Sequence, residues 1–116
     1  MGNQFILTIA PPETCLAIYS SAAWEQFSEQ LESIAVKDKL YRRFSRHIFA
    51  NTETTSCDAQ GRLVIPAPLR AYAGIERDAV SIGFSKRIEI WSRERLDSSS
   101  PSPDEVSEFM TANGLL

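Results

Sequence analysis

Thiols, imidazoles and glycines are scarce in these 116 residues, which hold two cysteines, one histidine and five glycines. Cys15 and Cys57 lie far apart, each beside strand-like residues, and neither has a His or a second Cys at ligand spacing. That excludes a zinc finger and a disulfide framework and leaves two free, buried thiols as the expectation. His47 has no Ser, Cys or Asp arrangement that would make it a catalytic base, so it reads as a surface or interface residue. No phosphate-cradling loop, no nucleophile with a base and no paired carboxylates at a cleft can be found. An enzyme is therefore the weakest of three readings, and no cofactor, metal or small-molecule substrate is expected. No apolar run approaches the roughly 18 residues of a membrane span. The opening MGNQFILTIAPPET lacks the basic flank and cleavage site of a signal peptide, so a cytoplasmic protein without a membrane partner is expected.

Positive charge is also missing from both ends. Residues 1–35 hold four acids and no Lys or Arg, and residues 97–116 hold four more acids and again no base. All twelve bases fall in residues 36–96, against seven acids, so a chain of net charge −3 has a middle of +5. Such a segment disfavours basic partners and admits a polyanion. At 43% apolar, the chain supports one core of ordinary size, or two half-domains that share one.

What is present reads as short alternating elements. Residues 5–9 (FILTI) and 15–19 (CLAIY) predict a hairpin turned by APPET. Ser20 or Ser21 then caps a helix that buries Trp24, Phe27, Leu31 and Ile34 at three-four spacing. A second helix over residues 37–49 sets Leu40, Tyr41, Phe44 and Ile48 on one side, and Lys39, Arg42, Arg43, Arg46 and His47 largely on the other. A solvated or subunit-facing role suits that basic face better than a grip on phosphate, because no aromatic or glycine is interleaved with it.

The densest stretch is CDAQGRLVIPAPLRAYAG, residues 57–74. Residues 54–57 predict a strand, Asp58-Ala59-Gln60-Gly61 a tight turn with Gly61 at positive φ, and residues 62–65 a returning strand. Asp58 is placed to accept hydrogen bonds from the turn's own amides. Pro66 ends the strand, and residues 67–73 form a two-turn helix closed by Gly74. A last hairpin joins residues 79–84 to 87–91 through Ser85-Lys86. The halves echo each other: Leu16, Ile18, Tyr19 and Ser20 align with Ile88, Ile90, Trp91 and Ser92, each 72 residues on. Ser98 to Pro103 reads as a flexible linker, followed by a short helix with a capping box at Ser102 and Glu105 and an apolar stripe of Val106, Phe109 and Met110. That helix is marginal alone, and docking on its own domain or on a neighbouring subunit is the preferred reading over fraying.

The segment DAQGRLVIPAPLRAYAGIERDAVSIGFSKRIEIWSRERL, residues 58–96, closely resembles the second half of the MraZ transcriptional regulators, members of the AbrB-like swapped-hairpin class. CLAIYSSAAWEQFSEQL resembles the end of their first half. The resemblance covers about residues 5–96 and rests on D-x-x-x-R (Asp58, Arg62) joined to the IP, LR and RIEIW elements. It implies a mixed α/β fold: a swapped-hairpin, AbrB-like small β-barrel with flanking helices, built from two pseudo-repeats of which the first is incomplete. Residues 1–50 are then an incomplete first repeat, 51–97 a complete second repeat, and 98–116 the linker and terminal helix.

By the same resemblance the chain is expected to be a sequence-specific, nucleoid-associated DNA-binding regulator. It would bind double-stranded DNA at promoter repeats upstream of the division and cell-wall gene cluster, as a homo-oligomer of ring shape. Arg62 matches the arginine that faces DNA, and Asp58 and Gly61 match residues that shape its turn. Taken alone, such a turn is more often a structural lock. Arg70 is a secondary candidate for which a salt bridge, for instance to Asp58, is preferred over a phosphate contact. The chain departs from its relatives in lacking a first D-x-x-x-R hairpin, through a late assigned start or a shortened gene. That departure implies an uncovered sheet edge and an obligatory or strongly favoured oligomer. The rival reading is an oligomeric scaffold that kept the packing and lost half the contacts.

Overall fold

Alternation and capping set the elements of the computed structural model, which describes residues 4–116. Residues 1–3, most of the MGNQ opening, lie outside the described residues. Strands β1 (Gln4–Ile9) and β2 (Leu16–Tyr19) form the first hairpin. The Ala10 N–H donates to the Cys15 carbonyl at 3.2 Å and closes the connection between them. Helix α1 (Ser21–Ala35) starts at Ser20, whose hydroxyl accepts from the Ala23 N–H, and α2 (Lys39–Ala50) starts at Asp38, whose carboxylate accepts from the Leu40 N–H. Strand β3 (Thr52–Ser56) follows, then α3 (Ala67–Ala73), which ends in a left-handed Gly74 at φ +67°. A Cβ at Gly74 would come within 2.6 Å of the Arg95 guanidinium, the far end of a flexible side chain that can shift, so it is the left-handed backbone that calls for glycine there. Strands β4 (Ala79–Phe84) and β5 (Arg87–Ser92) make the second hairpin, and α4 (Arg93–Ser98) starts at Ser92 as α1 starts at Ser20. Helix α5 (Pro103–Ala112) carries the complete Ser102–Glu105 capping box.

The five strands form one antiparallel sheet in the order β3-β1-β2-β5-β4, with the first hairpin lying between the later strands. Flanking helices complete a mixed α/β architecture of the MraZ/AbrB-like small-domain kind. Period-two alternation gives the sheet two buried faces. Leu7, Ile9, Leu16 and Ile90 pack with Leu69 and Ala73 of α3 on one, and Ala17, Tyr19 and Trp91 pack with Trp24 and Leu96 on the other. Tyr19, Trp24 and Phe27 cluster with ring centroids 5.4–5.6 Å apart, Tyr19 stacked on Phe27 and Trp24 tilted against both. On that second face Glu89 is buried, and its carboxylate accepts from Trp91 Nε1 at 2.9 Å and from Arg87 Nη2 at 3.0 Å.

Four expectations are corrected. Of the α1 positions expected to be buried, Trp24, Phe27 and Leu31 are half-buried and Ile34 is 44% exposed. Residues 62–65 do not return as a laddered strand: a single bridge pairs Leu63 with Cys57, just past the end of β3, and Thr55 Oγ1 of β3 donates to the Val64 carbonyl. Ile65 and Leu69 pack on the core around Leu7 and Ile90, and reaching that core draws the chain away from β3. The apolar side of α2 is not buried: Leu40, Tyr41 and Phe44 are 48, 45 and 56% exposed. Tyr19, Trp24 and Phe27 already cover the sheet there, so α2 rests on α1 and β1 through Ser45 and through Phe49, which meets Trp24 edge-on. Finally, Cys15 is fully buried but Cys57 is only half-buried, and both are free.

Candidate nucleic-acid interface

Between β3 and α3 the chain reverses on Asp58. Its backbone N–H donates to the Arg62 carbonyl at 2.9 Å, and its carbonyl accepts from the Gly61 N–H at 3.0 Å. Oδ1 of Asp58 accepts from the backbone N–H groups of Gln60 and Arg62 at 2.9 and 2.8 Å. Oδ2 takes the Nε–H of Arg62 at 2.7 Å. Gly61 stands at φ +78°, which completes the turn without the steric cost a side chain would bring. The Arg62 backbone N–H foremost, and then its side chain, hold the Asp58 carboxyl below the usual carboxylate range.

Those bonds aim the arginine. Nε and one N–H of Nη2, which donates to Gln60 Oε1 at 3.2 Å, point back into the turn. The opposite edge of the guanidinium plane, carrying Nη1 and the second Nη2 hydrogen, is left outward on a side chain that is 76% exposed. Two parallel donors in a fixed plane match a guanine edge or a phosphate.

Arg70 sits exposed in the last turn of α3, with no carboxylate at ion-pair distance among the described residues. The salt bridge expected between Arg70 and Asp58 is therefore corrected: Asp58 is taken by Arg62. His47 is exposed near the end of α2. Because α2 leads into the start of β3 and the Asp58 turn follows its end, the basic helix and Arg62 attach to opposite ends of that strand, about 17 Å apart.

Sequence reasoning missed Lys86. Registers from Gln4 against Ser56, through Ile6 against Tyr19 and Ile18 against Ile88, to Phe84 against Arg87 put the β4–β5 turn at the same end of the sheet as the Asp58 turn. A cavity of about 410 Å³ between them is lined by Phe5, Ile18, Leu63, Ile88 and, from the first turn, Gly61. A second, of about 360 Å³, is lined by Phe5, Ile18, Ile88 and, from the other turn, Ser85 and Lys86. Lys86 is exposed, whereas its neighbour Arg87 is held inward by Tyr19 Oη and Glu89. No local signal marks Lys86, since its position depends on the order of all five strands.

Among the described residues no group of three or more His, Cys, Asp or Glu side chains could hold a metal ion, and no helix is long and apolar enough to cross a membrane. The family model of the MraZ protein matches residues 48–102. The transcriptional regulator MraZ of Lachnoclostridium phytofermentans is 36% identical over 116 residues, spanning 99% of this chain and 81% of that protein. Its counterpart in Acetivibrio thermocellus is 37% identical, with 99% and 82% covered, and that of Caldanaerobacter subterraneus is 38% identical, with 95% and 79% covered. The likeness therefore reaches beyond residues 5–96 and takes in nearly the whole chain.

Proposed function

The chain belongs to the MraZ family, and on that premise we propose that it is a transcriptional regulator that binds double-stranded DNA sequence-specifically through the Asp58–Arg62 turn. The observation that carries this reading is the outward guanidinium edge of Arg62, held in one orientation by Asp58 and Gln60. Such an edge forks onto guanine O6 and N7 in the major groove, where a two-stranded ribbon fits. Gly61 and Asp58 shape the turn, Lys86 supplies a phosphate contact from the same end of the sheet, and Arg70 is a secondary contact.

One guanidinium per chain is a weak reader. The proposal is therefore a homo-oligomer, ring-shaped, whose repeated turns meet repeated promoter sequences upstream of the division and cell-wall genes, since linked sites multiply modest affinities. In this reading residues 1–50 act as an incomplete first repeat, residues 51–97 as the complete one that carries the reading turn, and 98–116 as an appended linker and helix. The protein would work in the cytoplasm on the nucleoid.

Titrating the chain and its Arg62→Ala variant against labelled DNA from upstream of its own gene, with scrambled DNA beside it at two salt concentrations, tests the reading. Preferential binding that weakens with salt and is lost in the variant is expected. Equal binding by both proteins would move the contact away from Arg62, and binding by neither would favour an oligomeric scaffold.

A further inference from the structure

Two amphipathic surfaces lie uncovered on the described chain. On α2, the half-exposed Leu40, Tyr41 and Phe44 are bordered by Lys39, Arg42, Arg43 and Arg46, with Lys37 just before the helix. On α5, Val106 and Phe109 are 41 and 61% exposed, and the segment that carries them, residues 97–116, holds four acids and no base. Both ends of α5 are well formed, by the capping box at Ser102 and by a bond from Asn113 Nδ2 to the Phe109 carbonyl at 2.8 Å. Yet no other element packs broadly against it. A helix of ten residues with its apolar stripe in water is marginal by itself and gains most from a partner.

We propose that α5 of one copy of this chain docks on the α2 face of a second copy, with Val106 and Phe109 packed against Leu40 and Phe44 and the acids of α5 set among the cations of α2. The two surfaces agree in chemistry and in size. Ten residues of α5 span about 15 Å and twelve of α2 about 18 Å. DNA phosphate would neutralise the cations and leave three large apolar side chains in water, whereas α5 offers an apolar stripe and negative charge together. Within one copy α5 departs from β5 by way of α4, while α2 packs on α1 and β1, and the stripe of α5 stays open. The inference deepens the oligomeric reading above and does not depend on the Arg62 contact.

Sedimentation velocity on full-length chains tests it. Wild type is expected to assemble at micromolar concentration, and the doubly substituted Val106→Ser, Phe109→Ser chain to assemble about tenfold more weakly or worse. Two charge-reversed chains, one with Asp104→Lys and Glu108→Lys and the other with Arg43→Glu and Arg46→Glu, are each expected to assemble poorly, and an equimolar mixture to recover the assembled species. All the altered side chains are exposed or half-buried, so each variant is expected to keep the wild-type circular dichroism. A monomeric wild type would overturn both the oligomeric reading and this contact. Variants that assemble as wild type does would overturn this contact alone. Weak assembly of each reversed chain without recovery on mixing would overturn docking between copies and point to a contact within one chain. Lost DNA binding with unchanged assembly in the Arg43→Glu, Arg46→Glu chain would assign the α2 face to DNA instead.

Discussion

The central pair β2–β5 and the segment over residues 57–65 face the same apolar floor but are held in opposite ways. Along β2 and β5, Leu16, Ala17, Ile90 and Trp91 are buried between helices on both faces, and backbone bonds run through three paired positions. The 57–65 segment has one bridge within itself, between Cys57 and Leu63, an exposed Val64, and a turn in which three hydrogen bonds end on the Asp58 carboxylate. The first region has its geometry fixed by burial, and the second by hydrogen bonds to one charge. For the proposed DNA contact the second arrangement is an advantage, because Arg62 is oriented without being buried, and the core beneath need not change when the arginine engages DNA.

The largest expected effect lies in the first region. Leu16→Ala should cost about 2–5 kcal/mol of stability, seen as a lower denaturant midpoint, because Leu16 is wholly buried between the two halves. Val64→Ala should change stability by less than about 0.5 kcal/mol, since that side chain is 76% exposed. Equal losses would erase the contrast. Gly61→Val comes next: at φ +78° a β-branched residue should cost about 1–2 kcal/mol, concentrated in the turn, so amide exchange at Gln60 and Arg62 should accelerate more than exchange along β5.

Acid should then separate the regions without mutation. The Asp58 pKa is depressed in the folded chain, so its contribution is present above the ordinary carboxylate value of about 3.9 and is lost as pH falls through the lower folded value. The Gln60 and Arg62 amide resonances should therefore move together at low pH while those of β2, which carries no carboxylate, hold, and Asp58→Asn should abolish that titration. The smallest effect is chemical. Burial pushes the Cys15 thiol up to about 11, so a thiol reagent at neutral pH should label the half-buried Cys57 and spare Cys15 until the chain unfolds.

Much of this was legible locally. Ser20, Gly74 and the Ser102–Glu105 box announce helix ends because each satisfies backbone groups within a few residues. The turn residues Asp58 and Gly61 are readable for the same reason. What escaped depends on distant packing. Residues 62–65 carry a strand pattern, but the pull of Ile65 and Leu69 towards Leu7 and Ile90 decides where they run. The α2 pattern correctly marks an amphipathic helix, yet periodicity does not say whether the same chain covers its apolar side, and here Trp24 and Phe27 had filled the place. Lys86 becomes a neighbour of the Asp58 turn only through the strand order.

The most direct test of the central claim, that the Asp58–Arg62 turn reads bases rather than merely attracting phosphate, is the ratio of affinities for upstream and scrambled DNA in the Arg62→Lys variant. Lysine keeps the charge but not the planar fork, so the account predicts that the ratio collapses towards one while binding to scrambled DNA and its salt dependence persist. A variant that still prefers the upstream DNA as strongly as the wild-type chain does would contradict it.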